Sequence, residues 1–120
     1  MTASKKSKEF PTSILVLGEP YRIELVPGFK DEDGTTLCGD TGSDVLGGFY
    51  RIRINSDLDT AMRWRTLLHE HIHAALAVNG VANGLDAEVE EIIAQSIEHA
   101  TIQLLRQYGN QLMQHLGGLE

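Results

Sequence analysis

The segment Thr60–Val78 reads TAMRWRTLLHEHIHAALAV and decides the fold of the second half of the chain. It contains neither glycine nor proline, and Ser56 or Asp57 can cap its start. Asn79-Gly80 follows as a stop signal, because these residue types readily adopt the left-handed conformation that ends helices. The sequence therefore predicts one long helix over about residues 60–78.

This helix carries the pattern H-E-x-x-H at residues 69–73. Successive helical residues are separated by about 100°, so His69 and His73 lie about 40° apart and one turn along the axis. Both imidazoles can therefore reach one zinc ion. Glu70 lies about 100° round from His69, where a carboxylate can accept a proton from water at the metal. A catalytic zinc needs a third protein ligand and one open position, so another ligand is expected elsewhere.

A second long helix is predicted from a cap at Asp86 to about Tyr108. Gly109-Asn110 ends it, and residues 111–116 are expected to add one or two turns. A helical wheel of this segment has a core-facing stripe around Glu90. The residues that fall within about 80° of Glu90 are Ile93, Ile97, Ala100, Thr101 and Leu104.

Glu90 is the predicted third ligand, because a carboxylate in the middle of a core-facing stripe is costly unless it is paired or coordinated. The alternative for Glu90 is a solvated acid in the first helical turn, which the helix dipole favours. Glu91 lies about 100° away on the wheel and Glu88 about 160° away, so they are weaker candidates. The adjacent Glu90 and Glu91 nevertheless leave two registers open for the third ligand.

The first half of the chain contains three short segments with the pattern of strands. Residues 13–17 and 21–26 form a predicted hairpin, and residues 49–55 form a third strand. Residues 28–48 are rich in glycine, aspartate and threonine, which predicts a long loop. Strands followed by helices indicate an α+β fold with a small, mainly antiparallel three-stranded sheet packed on two long helices.

Length and charge exclude several classes of protein. The 120 residues fit one domain, predicted over 10–120, with residues 1–9 as a disordered basic tail. Seventeen acidic residues against ten basic ones give a net charge of −7, which argues against nucleic acid as a partner. We expect no membrane association and a cytoplasmic protein, because there is neither a long apolar segment nor an apolar leader. A single cysteine, Cys38, excludes a disulfide within the chain.

The stretches 66–75 and 86–95 resemble the small zinc metallopeptidase-like proteins of phages and mobile elements, which are of the gluzincin type. The resemblance implies a zincin-like core, Zn²⁺ as cofactor, and a peptide or protein substrate. It implies His69, His73 and Glu90 as metal ligands and Glu70 as the general base. It also implies that an edge strand holds the substrate, and residues 49–55 are the expected edge.

Three functions follow from this pattern as alternatives. The first is a zinc hydrolase of peptide bonds, since a structural zinc site has no need for Glu70. The second is a zinc-stabilised binding or accessory module without turnover, and the third is a metal-free helical interaction protein. Cys38 and His71 are expected to be neither ligands nor nucleophiles. The sequence leaves the oligomeric state open.

Overall fold

The computed structural model describes residues 10–44 and 46–116, so the predicted tail at residues 1–9 lies outside the described residues. Four strands are followed by two long helices, and a 3₁₀ turn at Val81–Gly84 joins the helices. The strands are β1 (Ser13–Val16), β2 (Glu19–Val26), β3 (Gly39–Asp44) and β4 (Phe49–Asn55), and the helices are α1 (Thr60–Val78) and α2 (Ala87–Leu116). The predicted α+β class is confirmed.

The sheet is mixed and four-stranded, in the order β1-β2-β4-β3. β1 pairs with β2 and β3 pairs with β4 in antiparallel fashion. β2 and β4 are parallel, with Tyr21 opposite Tyr50 and Val26 opposite Asn55. Two of the three pairings are antiparallel, so the sheet is mainly antiparallel as predicted, but it has four strands rather than three and its central pairing is parallel.

β3 lies in the region that was predicted to be a loop, and it forms an edge of the sheet. Its sequence, GDTGSD, lacks the apolar alternation of a strand. The antiparallel ladder to β4 holds it, and two ion pairs add to this contact, with Arg53 Nε 2.9 Å from Asp40 Oδ1 and Arg51 Nη1 3.5 Å from Asp44 Oδ2. Because β3 covers its outer side, β4 is an interior strand, and the expectation that residues 49–55 form the edge is wrong.

The core lies between one face of the sheet and α1. Val16, Ile52 and Ile54 are fully buried, and Leu67 and Ala74 pack against them from α1. Each Å² of apolar surface that is buried contributes about 25 cal/mol to stability, so this contact is the main source of stability. The sheet therefore fixes which side of α1 is left to carry the histidines.

The ends of the helices follow from local signals. Asp59 caps α1 by accepting a 2.8 Å hydrogen bond from the Met62 amide, so the predicted caps two or three residues earlier are wrong. Asp57 instead accepts a 3.0 Å hydrogen bond from the Gly28 amide. Asp86 caps α2 through the Val89 amide at 2.9 Å, as predicted. α2 is interrupted at Tyr108 (φ −139°, ψ 23°), where the sequence predicts an end.

α2 packs on α1 with a different face from the predicted one. Ala94 and Glu98 are buried. Ile97 and Leu104, which belong to the predicted stripe, are 42% and 48% exposed. Among the described residues, no helix is long and apolar enough to cross a membrane.

A Gly39→Ala substitution is expected to lower the free energy of unfolding by about 1–3 kcal/mol. A Cβ at this position would lie 2.7 Å from the Arg53 carbonyl oxygen and 2.7 Å from Thr66 Cγ2, so β3 or α1 must shift. Urea unfolding measures the change, and Gly42→Ala on the same strand is the control, because its Cβ would have no neighbour within 4 Å. Equal stability of the two variants would contradict the close approach of β3 to α1.

Candidate metal centre

His69 and His73 stand one turn apart on α1 and face α2. Their Nε2 atoms are 3.2 Å apart. The Nδ1 atom of each ring contacts a glutamate of α2, and an ionised carboxylate can only accept a hydrogen bond. In the neutral tautomer that donates from Nδ1, the two Nε2 lone pairs point into the same small space. Two bare acceptors at this separation repel each other unless a proton on one ring or a metal ion lies between them.

Glu91 brings a carboxylate to the same space. Its Oε1 lies 2.8 Å from His69 Nε2, and its Oε2 lies 3.1 Å from His73 Nε2. Ligand atoms of the three residues all lie within 4.8 Å of one another. A tetrahedral zinc ion with bonds of 2.0–2.1 Å separates its ligand atoms by about 3.3 Å. The two histidines and Glu91 could therefore hold a metal ion, and the 3.2 Å between the two Nε2 atoms is close to the spacing of zinc ligands.

Glu90, the predicted third ligand, contacts the other side of His73. Its carboxylate forms a short hydrogen bond to His73 Nδ1, and its side chain is 23% exposed. In this position Glu90 fixes the tautomer and orientation of the ring rather than meeting Nε2. The two registers that the sequence left open thus have different geometries, with Glu91 on Nε2 and Glu90 on Nδ1.

Glu98 holds His69 in the same way, and the sequence analysis missed it. Its Oε1 lies 2.7 Å from His69 Nδ1 and its Oε2 accepts a 2.7 Å hydrogen bond from Arg65 Nε. Burial favours the neutral carboxyl, but the hydrogen bonds from Arg65 and His69 outweigh it and lower the pKa of Glu98. The sequence does contain a signal for Glu98, which is its distance of seven residues from Glu91. Residues seven apart share one face of a helix.

Glu70 is a buried carboxylate beside the histidines. Only 7% of the residue is exposed, and the Thr41 hydroxyl donates to its Oε1 at 2.8 Å. Burial raises the pKa of Glu70, against the opposing effects of the Thr41 hydrogen bond and of the two histidines. Thr41 lies on β3, so a sequence reading that made this region a loop could not place it.

A cavity of about 300 Å³ opens beside these groups. It is lined by His69, Glu70, Glu91 and Glu98 and by a second set consisting of Cys38, Gly39, Met62, Arg65 and Thr66. A small molecule or one side chain of a peptide fits a space of this size. His69, Glu70 and Glu91 are therefore accessible from this side.

Cys38 and His71, which are predicted to be neither ligands nor nucleophiles, lie in different places. Cys38 is exposed and lines the cavity beside the histidines. His71 is half-buried and lines a separate cavity with Trp64 and Leu68. His71 therefore lies outside the candidate metal centre, and Cys38 is outside the group of ligand atoms that converge among the described residues.

Comparison of the chain with known protein families, curated proteins and solved structures finds no match. The resemblance to small gluzincin-type proteins therefore stays a prediction.

Proposed function

We propose that this protein is a zinc-dependent hydrolase of peptide bonds. One observation carries the proposal. The Nε2 atoms of His69 and His73 and the Glu91 carboxylate converge within hydrogen-bond distances, while both Nδ1 atoms are held by other carboxylates. Metal-binding histidines almost always donate their other ring N–H to a carboxylate, a backbone carbonyl or water, and this partner orients the ring and raises its basicity.

His69, His73 and Glu91 would hold the metal in this proposal, so Glu91 replaces Glu90 as the third ligand. Two imidazoles with one carboxylate suit zinc better than magnesium or calcium, which prefer oxygen ligands alone. Three protein ligands leave one position open, as in catalytic rather than structural zinc sites. When bound there, zinc supplies a Lewis acid that polarises a carbonyl and acidifies water.

Glu70 is the proposed general base. Its carboxylate adjoins the accessible cavity, and the Thr41 hydroxyl fixes one of its two oxygens, leaving Oε2 for a proton. A base must be within hydrogen-bond reach of the water that it activates, and Glu70 follows the first ligand directly on α1. It would accept the proton of the attacking water and pass it to the leaving amine.

The free edge of β3 supports an extended peptide as the substrate. Gly39 begins this strand and lines the cavity beside His69 and Glu70. An edge strand presents unpaired backbone N–H and C=O groups, and a peptide can add to them as a further strand. A substrate held in this way would run past the proposed base.

The proposal is tested with metal-free protein that is prepared by chelation and then reloaded with zinc. We expect about one zinc ion per chain, and hydrolysis of unfolded protein substrates only in the reloaded sample. His69→Ala is the control, since it removes a ligand from α1. Zinc binding without cleavage of any substrate would favour the non-catalytic module instead, and absence of zinc binding would overturn both readings.

A further inference from the structure

A second cavity lies along α2, next to the candidate metal centre. It measures about 470 Å³ and is lined by Arg65, His99, Ile102, Gln103, Arg106 and Gln107. We call it the α2 groove. Arg65 also lines the cavity of the metal centre, so the two cavities meet at this side chain.

The α2 groove is locally basic in a chain whose net charge is −7. Residues 99–116 contain no aspartate or glutamate. Within residues 10–44 and 46–116, no carboxylate lies within 4.0 Å of a charged nitrogen of Arg106. Arg65 uses Nε for Glu98, and its terminal nitrogens have no acceptor among the same residues. The groove therefore offers guanidinium N–H groups that are available to a ligand.

We propose that the α2 groove binds acidic side chains of the substrate, so that acidic peptides are the preferred substrate class; this inference rests on the proposed function. Guanidinium groups bind carboxylates with two parallel hydrogen bonds, and the Gln103 amide adds further donors. Ile102 supplies an apolar surface for the methylene groups of a glutamate.

The dimensions limit how much of the substrate the groove can contact. From His99 to Gln107 the helix rises about 12 Å. An extended chain advances about 3.3 Å per residue, so the groove accommodates about four residues. The groove would thus contact about four consecutive residues of the substrate, beginning where the two cavities meet at Arg65.

A short acidic peptide fits this charge distribution better than a nucleic acid does. Nucleic-acid surfaces need several cations along the phosphate backbone. The α2 groove has only two arginines, Arg65 and Arg106, and Arg65 also pairs with Glu98. A short acidic segment needs only the local charge, whereas a polyanion of greater length meets the surrounding acidic surface.

The test measures binding without turnover, in zinc-loaded Glu70→Gln protein. The ligands are two eight-residue fluorescent peptides, one with four glutamates and one with glutamines in their place. We expect the glutamate peptide to bind at least about tenfold more tightly, because hydrogen bonds between charged groups are the stronger ones. Arg106→Gln should remove most of this preference, while Arg22→Gln should keep it. Arg22 stacks on the Phe49 ring, on the sheet face opposite α1, and gives the same change in charge.

Trp64 provides a second readout, since it is the single tryptophan and lines a neighbouring cavity with Arg65 and Arg106. Its fluorescence emission should change when the glutamate peptide binds. Salt at 1 M should weaken binding, because it shortens the Debye screening length to about 3 Å. Equal affinity for the two peptides would overturn the inference, as would equal binding of a single-stranded oligonucleotide. Neither result changes the zinc and hydrolysis measurements. Absence of acidic-peptide binding in the α2 groove is therefore distinguishable from absence of the proposed hydrolase activity.

Discussion

A Glu70→Gln variant is expected to keep its zinc and to lose peptide hydrolysis by about 10²- to 10⁴-fold, the usual contribution of a general base. Glutamine has nearly the same shape as glutamate but cannot accept a proton from water. The Thr41 hydroxyl, 2.8 Å from Glu70 Oε1, can still donate to the amide oxygen, so the packing of β3 on α1 should survive. The measurement is kcat/KM on an unfolded protein substrate, with zinc content determined on the same sample.

The matched control is Glu88→Gln, which removes a carboxylate from the exposed side of α2. It should leave both zinc content and hydrolysis unchanged. A Glu70→Gln variant that hydrolyses at the wild-type rate would exclude Glu70 as the base. If the wild-type chain binds zinc and the substitution alters no functional readout, the binding-module alternative is the better account.

The histidine pair could be predicted because both residues belong to one helix. The i, i+4 spacing fixes their relation whatever α1 packs against. The identity of the third carboxylate depends instead on how α2 is rotated about its own axis. Its buried face passes through Ala94 and Glu98, about 60° from the predicted centre at Glu90. The apolar pattern of α2 predicts the wrong buried face, because the true one includes the Glu98 carboxylate, which pairs with His69 and Arg65.

The sheet was harder to predict than the helices for a related reason. β1, β2 and β4 carry apolar side chains that face α1, and these appear as local patterns. β3 is polar, and it is held by its antiparallel ladder to β4 and by ion pairs to Arg51 and Arg53, which no local pattern reveals. Without β3, the segment between β2 and β4 looks like a loop, so neither the parallel pairing nor the contact of Thr41 with Glu70 could be foreseen.

Separate substitutions of Glu91 and Glu90 by alanine are expected to weaken zinc binding to different extents. Removal of Glu90 leaves His73 Nδ1 without its acceptor, and loss of such an orienting partner costs about 10- to 100-fold in metal affinity. Removal of Glu91 takes away the carboxylate that meets both Nε2 atoms, so its effect should exceed about 100-fold. Competition with a chromophoric chelator measures both affinities.

Both side chains are partly exposed, at 47% for Glu91 and 23% for Glu90, so neither alanine should unfold the domain. Urea unfolding of the metal-free variants checks this point, because a difference in zinc affinity is informative only between folded proteins. The opposite order of affinities would identify Glu90 as the ligand and would require α2 to turn so that residue 90 reaches Nε2. Glu98 would then also move, because residues 91 and 98 share one face, and His69 would lose its contact with Glu98. The pair of alanine variants therefore tests the rotation of α2 and the identity of the third ligand together.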